Sequence, residues 1–146
     1  MTEGTSVANF SLPINQQSLE NLASADYMTC TVEDAINEGS GVLHLNMNRR
    51  MAKVIMTLDD IDSQSKALGV KIGSYQGYTD GNVSSGTALV SPYVTIPEGG
   101  KAGQSGCKYT AIVAPGTANP NSTFVSLNYK GGDLVLPGIP AIKAGF

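Results

Sequence analysis

The chain has 146 residues, 41% of them hydrophobic, and only 14% carry charge against a usual share of about 25%. Nine basic residues against twelve acidic ones leave a net charge of −3, which excludes the basic footprint of a nucleic-acid binder. No apolar run approaches the roughly 18 residues of a membrane span, and 17 glycines, 14 serines, 11 threonines and 10 asparagines supply polarity in small neutral form.

At the start of the chain, Met1-Thr-Glu-Gly-Thr-Ser-Val-Ala-Asn-Phe10 has neither the basic n-region nor the apolar h-region of a secretory signal. It fits either a cytoplasmic protein or a mature fragment with an added initiator methionine. Residues 16–23 form a helix candidate, and residues 27–32 the first strand candidate. In Val42-Leu-His-Leu-Asn-Met-Asn48, alternation puts Leu43, Leu45 and Met47 on one face and His44, Asn46 and Asn48 on the other. That period of two marks a half-buried strand. Residues 51–58 repeat it, with Ala52, Val54, Met56 and Leu58 facing one way, although Met, Ala, Lys and Leu also suit a helix. Asp59 and Asp60 are placed to cap a helix running to Leu68, with Gly69 as its stop.

Strands are predicted over 69–75, 88–96, 108–114, 123–130 and 133–136, each short, rich in Val, Ile, Thr or Tyr, and bounded by turn formers. Within 123–130, Val125, Leu127 and Tyr129 alternate with Phe124, Ser126 and Asn128, and Lys130-Gly-Gly-Asp133 reads as a tight hairpin turn. Stretches 76–86, 97–106 and 114–122, rich in Gly, Asn, Ser and Pro, are predicted loops. With no repeat, heptad or linker, the expectation is a single mainly β domain over 1–146. About eight short strands with one or two short helices suggest a sandwich or barrel.

No catalytic constellation emerges. His44 is the only histidine, and no nucleophile elbow or Cys-His signature lies near it. Asp59, Asp60 and Asp62 form the only acidic cluster, without EF-hand spacing or its central glycine, and fit a solvated turn. Arg49, Arg50 and Lys53 are too few for a phosphate-tracking surface. No P-loop or Rossmann fingerprint is present. Cys30 and Cys107 fit either one disulfide closing a long loop, worth about 4 kcal/mol in theory, or two buried thiols packing as small hydrophobes. Two cysteines and one histidine without close spacing make no zinc cage, so no metal and no cofactor is expected. Tyr75 and Tyr78, near Asp80 and Asn82, are candidate glycan contacts by stacking and polar bonds.

At Asn46-Met-Asn-Arg-Arg-Met-Ala-Lys-Val54 the chain resembles the fimbrillin family of Bacteroidales pili, with Arg49 where a histidine is common. Further patches fall in the family's order: Ala23-Ser-Ala-Asp-Tyr-Met28, Val70-Lys-Ile-Gly-Ser-Tyr75, Lys108-Tyr-Thr-Ala-Ile-Val-Ala-Pro115 and Ile142-Lys-Ala-Gly-Phe146. The resemblance implies a transthyretin-like, Greek-key β-sandwich of about seven or eight strands. It implies a non-enzymatic structural or adhesive subunit, exported as a lipoprotein, trimmed by a protease and displayed on the cell surface at the outer membrane. Partners would be other fimbrial subunits, joined by strand exchange, with host or bacterial surface ligands as further candidates. The chain departs from the family's pattern at both ends, lacking the export signal, the early strands and the closing Tyr-rich strand, as a fragment or shortened relative would. Two rivals are a carbohydrate-binding sandwich using Tyr75 and Tyr78, and an accessory domain or enzyme whose turnover would depend on His44 or Asp60.

Overall fold

The computed structural model describes residues 9–29, 47–59, 61–62 and 64–145. In chain order these carry β1 (Phe10–Ser11), α1 (Leu19–Ser24), β2 (Met28–Thr29), β3 (Asn48–Arg49), β4 (Ala52–Thr57), β5 (Ala67–Tyr75) and β6 (Gly77–Thr79). They continue with β7 (Asn82–Val83), β8 (Thr87–Val90), β9 (Tyr93–Thr95), β10 (Lys108–Val113), β11 (Asn119–Tyr129) and β12 (Gly132–Ile139). Most of the predicted 42–48 strand, the end of the 27–32 strand, His44, Cys30 and Asp60 lie outside the described residues.

Two larger antiparallel sheets share the core. One runs β4-β10-β9, the other β12-β11-β5-β8. Two small sheets, β1-β6-β7 and β2-β3, complete a mainly β architecture consistent with a sandwich. The described residues hold twelve strands, more than the seven or eight expected, because short pairings count separately. The alternation predicted for β4 is present: Ala52 and Leu58 are buried and Val54 and Met56 half-buried, while Lys53, Ile55 and Thr57 are exposed. A strand with one wet face follows from that pattern. β10 is buried over most of its length, as its place between β4 and β9 requires.

Three expectations need correction. The helix over 59–68 does not form, since Ala67 and Leu68 already pair with Tyr129 and Asn128 of β11. Gly69, at φ +58°, spends its left-handed freedom inside β5 rather than on a helix stop. Three steps from Leu68 to Lys71 there face two from Asn128 to Ser126, the signature of a β-bulge. The 88–96 strand is two strands in different sheets, because Pro92 offers no N–H and Ser91 pairs instead with the Ile14–Gln16 stretch. The 76–86 loop is largely the β6–β7 hairpin, whose Asp80 and Gly81 at φ +53° and +79° make the turn favoured between two strands.

Other predictions hold. Lys130 and Gly131 turn the β11–β12 hairpin at φ +54° and +77°, between paired Tyr129 and Gly132. The 16–23 helix is present as α1, starting after Ser18, whose hydroxyl accepts the Asn21 N–H at 3.1 Å. The core gathers Met51, Ile72, Val90, Cys107, Ala111 and Val113 at full burial.

Candidate functional site

Among the described residues, β4 pairs with β10 alone and β12 with β11 alone, so each ends its sheet. Between these two edges lies an apolar groove of about 390 Å³. Val54, Ile55 and Met56 of β4 line one side, and Leu134, Val135 and Leu136 of β12 the other. Phe124, Val125 and Leu127 of β11 form the remainder.

Register decides which way the β12 side chains face. Leu134 lies opposite Leu127 and Leu136 opposite Val125, and cross-strand partners share a sheet face. Val125 is buried and Leu127 packs on the core, so Leu134 and Leu136 project inward. Yet they are 54% and 56% exposed. The inner face of a sandwich sheet is normally covered by its opposite sheet, and among the described residues the cover ends at β4. The lining holds no titratable or nucleophilic group, so its chemistry is that of apolar contact and main-chain hydrogen bonding. An open strand edge beside an uncovered apolar face is a template for another strand.

The candidate glycan contacts sit elsewhere and point inward. Tyr75 and Tyr78 are each 7% exposed. The Tyr75 hydroxyl donates to the Thr117 carbonyl at 2.8 Å, and the Tyr78 hydroxyl donates to the Arg50 carbonyl. Tyr78 also tilts against Tyr27, itself stacked on Phe10 at 4.6 Å, while the Arg50 guanidinium lies 5.8 Å from the Tyr78 ring centroid. Burial pushes the Tyr78 phenol above its ordinary 10.0, with Arg50 pulling partly back. Neither ring offers the open face that stacking on a sugar needs.

Of the acidic cluster, Asp62 works as a tether. Its Oδ1 accepts the Gln64 N–H at 3.0 Å, its Oδ2 lies 3.3 Å from Lys130 Nζ, and its own N–H donates to the Tyr129 hydroxyl at 2.9 Å. The Gln64 N–H, then the Lys130 ammonium, hold the Asp62 carboxyl below its ordinary 3.8. Arg49 pairs with Asp26 at 3.7 Å. Cys107 is a buried free thiol that donates to the Lys101 carbonyl at 3.2 Å. Among the described residues, no three His, Cys, Asp or Glu side chains gather to hold a metal ion.

The decisive comparison is a family model described as fimbrillin-like, which matches residues 2–143. The chain belongs to the fimbrillin-like family. No curated protein and no solved structure matches it. The family is one of structural, non-enzymatic fimbrial subunits, whose partners are other fimbrial subunits and whose station is the surface fimbria. Among the described residues no helix is long and apolar enough to cross a membrane. For a fimbrillin-like chain the groove is the feature of interest, and sequence reasoning placed its strands without recognising it. One signal was available: Leu134-Val135-Leu136 is apolar at three successive positions, where a strand with one wet face would alternate.

Proposed function

We propose that this fimbrillin-like chain is built into a bacterial surface fimbria by β-strand addition, with an extended segment of a neighbouring subunit entering the groove between β4 and β12. The exposed inward face of Leu134 and Leu136 carries the reading. Fully burying a leucine contributes about 1.5–3 kcal/mol, so covering two that are half exposed supplies a useful part of an interface. Each new main-chain hydrogen bond adds a net of about 1 kcal/mol and fixes direction and register. In the same reading the protein is exported, reaches the outer membrane of a Bacteroidales cell, and acts as a structural or adhesive subunit. Its sandwich takes a transthyretin-like form, and 1–146 folds as one domain.

A charge placed in the groove tests this. Leu134→Lys and Leu136→Lys sit at half-exposed positions and leave the core layer of Ile72, Val90 and Val113 intact. The double variant in the full-length protein is expected to reach the cell surface but to be missing from sheared, pelleted fimbriae. Incorporation at the wild-type level would overturn strand addition at this groove.

A further inference from the structure

Two edges border the groove, and strand addition requires only one of them. Resting on the strand-addition reading above, we propose that β4 is the accepting edge and that β12 is built to refuse pairing. The occupant is an extended, uncharged segment of a neighbouring fimbrial subunit with large apolar side chains at alternate positions, matching a lining that carries no charge.

The direction of the main-chain groups on β4 follows from bonds at both ends of β10. Ile112 exchanges its N–H and C=O with the Gln16 carboxamide, so its polar groups face away from β4. Antiparallel ladders alternate, so Tyr109, Ala111 and Val113 face β4, where their partners are Met56, Val54 and Ala52. Just beyond, the Leu58 N–H donates to the Cys107 carbonyl and the Gly106 N–H donates to the Leu58 carbonyl, both at 2.9 Å, in the same phase. Ile55 and Thr57 therefore direct their main-chain groups away from β10, along a strand with no glycine, proline or register shift.

The outer edge of β12 differs. Tyr129 and Gly132 flank the two-residue turn as a hydrogen-bonded pair, so Leu134 and Leu136 bond β11 while Asp133 and Val135 face outward. That run stops at Pro137, which has no N–H, and a register shift against β11 falls at the same place. Gly138 follows at φ +88°. A proline and a bulge are means by which edge strands avoid partners. Side-chain exposure agrees. The uncovered surface is the inner face of β12, and the strand position opposite it is the next one beyond β4. A strand added to β12 would instead extend its sheet further from β4, and would leave Leu134 and Leu136 uncovered.

Residue-resolved hydrogen exchange on the full-length protein, free and in purified fimbriae, tests the assignment. The Ile55 and Thr57 amides are expected to slow by about ten-fold or more on assembly, with Asp133 and Val135 changing by less than about three-fold. Slowing at Val135 in place of Ile55 would overturn the edge assignment while leaving strand addition standing. An Ile55 amide already slow in the free subunit would overturn it too, since the chain would then fill its own edge. Slowing at neither edge would end both the assignment and the strand-addition reading. As a second arm, Ile55→Pro removes only an outward N–H and is expected to abolish incorporation, whereas Val135→Pro is expected to assemble. The reverse pattern would overturn the proposal.

Discussion

The Gln16 carboxamide stands in for a strand. β9 reaches β10 only along Lys108, Tyr109 and Thr110, which leaves Ile112 without a strand neighbour on that side. Gln16, fully buried, supplies both partners: its Nε2 donates to the Ile112 carbonyl at 2.9 Å and its Oε1 accepts the Ile112 N–H at 2.8 Å. Gln16→Ala strands two buried main-chain groups, and unfolding by denaturant should show a loss of about 3 kcal/mol. Gln16→Glu keeps the acceptor but loses the donor, so its loss should be no smaller. Asp62 acts at the surface, where its carboxylate holds the β11–β12 turn through Lys130. Its folded-state pKa lies below 3.8, so the stability it adds is fully present above that value and disappears as pH falls through the lower folded-state one. The melting temperature of Asp62→Asn should trail the wild type at neutral pH, and the two should converge as pH falls through the lowered folded-state pKa of Asp62.

Two glycines of β5 separate conformation from space. An added Cβ at Gly69 meets nothing within 4 Å, so Gly69→Ala should cost only the left-handed strain, about 1 kcal/mol. At Gly73 the same atom would sit 1.9 Å from the Thr123 carbonyl oxygen on the neighbouring strand. Gly73→Ala should therefore part β5 from β11 and cost about 3 kcal/mol or more by the same denaturation measurement. These positions also mark what the sequence could convey. The periodicity of β4 and β11, the β-rich composition of β10, the Lys130–Gly131 turn and the short helix near residues 16–23 are local patterns, and all were legible. Gly69 was recognised as a left-handed position but given the wrong task, because a helix stop and a β-bulge ask the same of a glycine. Only pairing with β11, some sixty residues away, chooses between them. Tyr75 and Tyr78 failed similarly: an aromatic beside polar loop residues fits a binding edge or a core lid equally until burial is known. The groove was the least legible feature, since it is defined by where a sheet stops.

For the whole molecule, the low charge of the sequence goes with loops rich in Gly, Asn, Ser and Pro around two larger sheets. Along β4 and β12, among the described residues, inward-facing leucines remain half open. The family's assembling role gives that gap a use. The most direct test is a cryo-electron microscopy map of fimbriae containing this chain, at a resolution that traces strands. The account predicts a strand of the adjoining subunit in the groove, hydrogen-bonded beside Ile55 and covering Leu134 and Leu136. A map in which neighbouring subunits meet through other surfaces, with that groove unfilled by any partner, would contradict it.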